Sequence, residues 1–267
     1  MAMALSHTHH STAAPWRWAF SGAVLGLLVA IVVFAPARWL AGAVEQASGQ
    51  RVSLAGARGS VWQGSSQLVL SGGIGSGAGA ALPGQVHWQI RPSWSGLRIA
   101  LQADCCAQQP LELKATVTGL SNLRVTFMDG ASQWPAGLLI GLGTPWNTIQ
   151  LQGQLEASTQ GVSLELAPGR LNLNGRIQVD AMQVTSRLST LSPMGSYRIT
   201  VQGGTTTGLQ LATLDGALQL SGQGEWLGQR LRFKGVASAA PERVEALSNL
   251  LNIVGRRDGA RSIITVG

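Results

Sequence analysis

The chain has 267 residues, a formal net charge of +7 and 45% hydrophobic residues. This composition is typical of a globular protein, and the length is enough for one large domain or two small ones. The arginines are scattered, whereas nucleic-acid-binding proteins carry basic residues in stripes or patches. We therefore expect no nucleic-acid partner. The positive balance fits a solvated arginine-rich sheet face or a position close to anionic lipid.

The N-terminal part of the chain predicts a membrane anchor. Residues 1–15 are polar and predict a short tail, while residues 16–40 predict a transmembrane helix. No charged residue occurs between Trp18 and Ala35, and about 20 apolar residues suffice to cross a bilayer. The run is bracketed by aromatic rings of the kind that lie at headgroup depth, namely Trp16, Trp18 and Trp39.

A secretory signal peptide is the alternative to a retained anchor. Ala35-Pro-Ala37 and Ala41-Gly-Ala43 both resemble small-residue cleavage sites. The apolar run is longer than the roughly 7–15 residues of a signal peptide, which favours retention. Arginines on both sides of the run leave its orientation open, because long downstream domains translocate largely regardless of such charges.

From Arg51 onward the hydrophobic period changes to two. Residues 41–50 still read as a helical linker, and residues 51–267 then predict a mainly β domain. Short alternating runs separated by Gly, Pro, Asn and Ser are typical of half-buried antiparallel strands. We expect a long, curled antiparallel sheet, in which central glycines such as those of Leu151-Gln-Gly-Gln-Leu155 and Leu173-Asn-Gly-Arg-Ile177 mark bulges. We expect a strand to begin at Ile149 and to continue into the Leu151–Leu155 run.

Two internal stretches break the strand pattern. Residues 72–79 predict a flexible glycine loop, and the strand that follows excludes a phosphate-binding fingerprint, which needs a helix there. Ala131 to Pro145 is apolar with several glycines and predicts a short helix or a wide crossover. A subdomain break near 130–146 is therefore an expectation.

One soluble helix is predicted near the C-terminus. Pro241 suits its first turn, and Gly255 is expected to supply a left-handed cap. A strand over Ser262–Val266 follows. The helix carries an apolar stripe at spacings of three and four, which is more typical of a core-covering helix than of a docking helix. The stripe consists of Val244, Leu247, Leu250, Leu251 and Val254.

The sequence offers no catalytic constellation. His87 is the only histidine beyond the tail and lies on the polar face of a predicted strand, and no Gly-x-Ser-x-Gly motif occurs. Cys105 and Cys106 are the only cysteines, so no disulfide framework or metal site is predicted. A vicinal disulfide, pairing between chains and free thiols all stay open for them. We predict a protein that is not an enzyme and that needs no cofactor.

Three stretches carry a resemblance to a known family. They are Leu54-Ala-Gly-Ala-Arg-Gly-Ser-Val-Trp-Gln-Gly64, Ile140-Gly-Leu-Gly-Thr-Pro145 and the terminus from Phe233 to Gly267. Together they resemble type II secretion system protein N, also called general secretion pathway protein N. The resemblance implies a bitopic inner-membrane protein with a cytoplasmic tail, a periplasmic β domain and no catalytic residues. It also implies an accessory role in exporting folded exoproteins, with other inner-membrane secretion components as partners.

The first of these stretches contains a candidate interaction or structural motif, Gly59, Trp62 and Gly64. Flanking glycines suit a tight reversal with one aromatic anchor packed inside, and a surface-exposed Trp62 that serves a partner is the alternative.

Two functions stay open at this point: an assembly component of the secretion machinery, and a periplasmic lipid-binding or lipid-transfer protein of AsmA-like or lipopolysaccharide-transport-like shape. A continuous apolar groove would favour lipid handling, and a filled core with an exposed hydrophobic patch would favour the assembly role.

Overall fold

The computed structural model describes residues 16–73, 79–107, 109–119, 122–168, 170–228 and 230–267. The predicted tail over 1–15 and the central residues 74–78 of the predicted glycine loop lie outside the described residues. The chain divides into two units, with the boundary between Ala35 and Pro36.

The first unit contains helix α1 (Trp16–Val33), whose side chains are all exposed. By length and composition, α1 is the one helix among the described residues that is able to cross a membrane, and a signal sequence has the same properties. A second helix, α2 (Ala37–Ala47), belongs to the second unit. The segment predicted as one helix over 16–40 is therefore two helices, because Pro36 has no N–H to donate and disfavours helical geometry in the residue before it.

The second unit is built on one antiparallel sheet, which confirms the predicted mainly β fold. The described strands occur in the order β1-β2-β4-β5-β6-β7-β9-β10-β11-β12-β13-β14-β16-β15, so the sheet ends at β1 and β15 and does not close. Two further strands attach beside this path, β3 to β2 and β8 to β9. The strand bounds are β1 (Val52–Gly59), β2 (Gln63–Ser71), β3 (Gly79–Ala81), β4 (Val86–Ser93), β5 (Gly96–Ala103), β6 (Leu111–Val117), β7 (Leu123–Phe127), β8 (Gly130–Pro135), β9 (Leu151–Ala167), β10 (Arg170–Ser186), β11 (Gly195–Gln202), β12 (Gly208–Gly216), β13 (Leu218–Leu227), β14 (Arg230–Ala239), β15 (Arg256–Asp258) and β16 (Arg261–Val266).

Bulges interrupt the longest strand pair at glycines that the sequence singles out. The register between β9 and β10 shifts around Gly175 and again opposite Gly153. Both glycines have positive φ, +86° and +130°, which side-chain-bearing residues rarely adopt. Bulges bend a strand and increase its twist, so these two positions bend the β9–β10 pair at glycines that the sequence marks as bulges.

The segment between β7 and β9 differs in part from its prediction. It holds β8, a 3-10 helix (Ala136–Leu142) and the short helix α3 (Trp146–Ile149). Strand β8 occurs where a helix or crossover was expected, and it pairs with the first half of β9. Ile149 ends α3 and does not begin a strand, because Gln150 takes a left-handed conformation that reverses the chain before β9.

Two clusters of buried apolar side chains occupy different parts of the sheet domain. The first, called the 3-10 cluster, contains Leu82, Ala103, Cys106 and Leu138. The second, called the α4 cluster, contains Ile149, Val184, Met194, Tyr197, Leu218, Ala237, Leu247, Leu250 and Leu251. A helix that follows or interrupts the strands therefore contributes to each cluster.

Helix α4 (Val244–Val254) follows a short 3-10 turn that starts at Pro241. Its cap differs from the prediction, since Gly255 is extended, with φ of −168°, and is not left-handed. Glycine is still suited to this position, because a Cβ there would overlap the backbone of Ile263 in β16. The chain thus turns directly from α4 into β15 without a left-handed cap.

Candidate interaction surfaces

The first candidate site is the turn between β1 and β2. Gly59 has a φ of +90° and pairs with Gly64 across the turn. The Ser60 amide donates to the Gln63 carbonyl at 2.8 Å, and the Gln63 amide donates to Ser60 Oγ at 3.1 Å. The motif therefore forms a tight reversal.

A residue outside the motif fixes this turn. The indole of Trp88 in β4 is almost fully buried, and its Nε1 donates to the carbonyls of Ser60 at 3.2 Å and Val61 at 3.1 Å. A Cβ on Gly64 would overlap the Trp88 ring. Trp62 is half-buried, and its carbonyl accepts the Ile90 amide at 2.7 Å. Sequence reasoning missed Trp88, although a tryptophan on a predicted inward strand position was a usable signal.

The two cysteines lie at the edge of the 3-10 cluster. Their sulfurs are bonded to each other in the structure, with Cys105 exposed and Cys106 buried. The Cys106 carbonyl accepts the Gln133 amide at 2.9 Å, which ties this turn to β8. The Cys106 backbone therefore links the β5–β6 connection to β8.

Among the described residues, Ser65, His87 and Asp104 form an arrangement that invites a catalytic interpretation. The register places Ser65 opposite His87, and His87 Nε2 lies 3.2 Å from Asp104 Oδ1. No hydrogen bond joins Ser65 to His87 in the described structure, and the His87 and Asp104 side chains are half exposed. A nucleophile needs a hydrogen-bonded base in a water-excluded site. We therefore interpret His87 and Asp104 as a contact between two surface side chains.

The strongest described ion pair is structural. Arg198 in β11 donates to both carboxylate oxygens of Asp180 in β10, at 2.8 and 2.7 Å, and Gln178 donates to the same carboxylate at 3.1 Å. The Arg198 hydrogen bonds lower the pKa of Asp180. Nearby, burial raises the pKa of Tyr197 well above its usual range.

A large cavity lies on the polar face of the C-terminal strands. Its volume is about 830 Å³, and polar and charged side chains line most of it, among them Arg176, Glu225, Arg232 and Lys234. An acyl chain is poorly matched to such a lining, because each charge would lose water without gaining a partner. Within the described ranges, no group of three or more His, Cys, Asp or Glu side chains is placed to hold a metal ion.

These features define an open, single-sheet β protein that follows an apolar N-terminal helix. The chain belongs to the type II secretion system protein N family, whose model matches residues 50–264. The match confirms the resemblance drawn from the sequence, and it covers nearly the whole sheet domain. Membership implies an accessory component of type II secretion that interacts with other components of that system. No curated protein and no solved structure matches the chain significantly.

Proposed function

We propose that this protein is a non-catalytic assembly component of the type II secretion machinery, held in the inner membrane by α1 with its β domain in the periplasm. The observation that carries the proposal is the family match over residues 50–264, in a chain whose N-terminal part forms an apolar helix of 18 residues. Such a helix covers about 27 Å at 1.5 Å per residue, close to the thickness of a bilayer core. Retention of α1 places the β domain next to the other membrane-embedded components.

The core arrangement supports an assembly role over lipid handling. Both clusters consist of buried apolar side chains, and charged side chains line part of the 830 Å³ cavity. Exposed apolar side chains remain on the strands between the clusters, as expected of a protein that docks onto partners. Within this proposal the turn over Gly59, Trp62 and Gly64 is a fixed structural element, and the α4 stripe holds the sheet together.

Deleting the gene in the native host tests this function. We expect exoproteins to reach the periplasm and fold there but to be released poorly, and the wild-type chain supplied in trans to restore release. The readout is the ratio of exoprotein activity in the medium to that in the periplasmic fraction. Normal release together with altered outer-membrane lipid asymmetry would favour the lipid-handling alternative.

A further inference from the structure

The hairpin between β4 and β5 presents an unusual residue. Ser93 pairs with Gly96, so Trp94 and Ser95 form a two-residue turn. The Trp94 side chain is fully exposed. A two-residue connection between paired strands is short and well defined, so the indole is held in solvent at the hairpin tip. A large aromatic ring exposed in that position is typical of a residue that contacts a binding partner or a membrane.

Neighbouring tips continue this apolar surface. The cross-strand register joins Val117 to Leu123, Leu123 to Leu166, and Leu166 to Leu171. The exposed fractions of these side chains, in that order, are 70%, 37%, 41% and 64%. Directly opposed residues share one face of a sheet, so the four form one exposed apolar row across β6, β7, β9 and β10. Trp94 together with this row is called the tip surface.

Basic side chains lie on the opposite face of the sheet, on β4, β5 and β6. Arg91 lies opposite Arg98, and Arg98 lies opposite Lys114, all three exposed. In the described part of the chain, none of them lies within ion-pair distance of a carboxylate, and the nearest acidic residue in the register, Glu112, is one pair further along. Like charges directly opposite each other are unfavourable on their own. An anionic surface placed against them would relieve that repulsion.

Strand direction brings this region to the same end of the sheet domain as its first residue, Pro36. Strands β1 and β4 both run antiparallel to β2, and therefore in the same direction. Pro36 forms a bridge with Ser60 at the β1–β2 turn. Gly64 pairs with Trp88, from which β4 continues to Ser93, or about 16 Å further in that direction.

We propose that the tip surface docks onto the bilayer that holds the anchor, with Trp94 at headgroup depth and Arg91, Arg98 and Lys114 against anionic phospholipid headgroups. This rests on the proposed anchoring by α1. Tryptophan rings favour the membrane interface, and basic side chains beside an anionic leaflet are attracted to it. The apolar row adds contact area next to the ring.

Tryptophan quenching in nanodiscs tests this docking with the full chain. The quenchers are brominated phosphatidylcholine acyl chains, in nanodiscs with or without phosphatidylglycerol. Of the nine tryptophans, Trp16 and Trp18 of α1 should be quenched in every variant. In anionic nanodiscs the Trp94→Phe variant should lose roughly a third of the wild-type quenching, because Trp94 would be one of three lipid-contacting rings. The matched control, Trp146→Phe in α3 at the other end of the strands, should lose none.

A separate variant tests whether docking requires the basic side chains. An Arg91→Gln, Arg98→Gln double variant should reduce the Trp94 contribution in anionic nanodiscs to its level in neutral ones. Equal quenching of wild type and Trp94→Phe, with the anchor signal intact, overturns the docking and leaves the anchor standing. No quenching in any variant overturns the anchor as well. Shielding of Trp94 from aqueous iodide only after another secretion component is added would mean a protein partner and would also overturn lipid docking.

Discussion

The burial of α4 against the sheet can be tested on two faces of the same helix. Leu247 is completely buried and belongs to the α4 cluster, whereas Ile253 is 43% exposed. Truncating a buried leucine to alanine costs about 2–5 kcal/mol, since the lost transfer energy is joined by the cost of a cavity. A change on an exposed face usually stays within about 0.5 kcal/mol.

These costs convert into a measurable difference in melting temperature. For a domain of this size, each kcal/mol shifts Tm by about 2–4 °C, so Leu247→Ala should lower Tm by roughly 4–20 °C. Ile253→Ala should change it by no more than about 2 °C. The assay is thermal unfolding of the full chain in detergent, followed by the change in the circular dichroism of the strands, to which α1 adds the same helical background in both variants. Equal and small shifts for both variants would mean that the stripe faces outward and that α4 docks on a partner.

Three further predictions concern stability. Gly64→Ala should destabilise the domain by several kcal/mol, because its Cβ would overlap the buried Trp88 ring, while Gly137→Ala, which has open space around it, should be nearly neutral in the same melt. For Asp180→Asn, the wild type should be more stable at pH 7, and the difference in urea unfolding should shrink as pH falls below about 4. The folded-state pKa of Asp180 is lowered from 3.8, so its stabilisation is complete above that value and is lost as the carboxylate is protonated in the fold; a difference that stayed constant down to pH 2.5 would contradict this. Tyr197→Phe should leave stability unchanged or raise it slightly, since the Tyr197 hydroxyl is buried with no hydrogen-bond partner among the described residues; a loss above about 1 kcal/mol would show that a bound water satisfies the hydroxyl.

The strand content was predictable because apolar and polar residues alternate along a half-buried antiparallel strand. Leu171 and Leu173 alternate with polar residues, and β10 contains both. The bulges at Gly153 and Gly175 were predictable too, because glycine inside a strand pattern signals a break in the ladder. By contrast, β8 was missed, since its residues pair with the first half of β9 and owe their strand geometry to that partner, not to their own pattern.

The surfaces were harder to predict because they depend on which strands become neighbours. The local sequence marks Trp88 as an inward-facing residue, but its contact with the turn at Gly64 exists only once β4 pairs with β2. The cationic row has the same origin, as Arg91, Arg98 and Lys114 are separated along the chain and meet through the register. The prediction of a left-handed cap at Gly255 failed for a related reason, because this residue packs closely against Ile263 of β16.

Copurification from native membranes tests the assembly role most directly. The full chain would be crosslinked in the cell, solubilised and purified, and its partners identified by mass spectrometry, beside a control in which residues 1–50 carry an unrelated periplasmic domain. We expect other inner-membrane components of the type II secretion system to be enriched with the full chain over this control. Recovery of no secretion component above the control, while the chain remains folded and in the membrane, would contradict the proposed function.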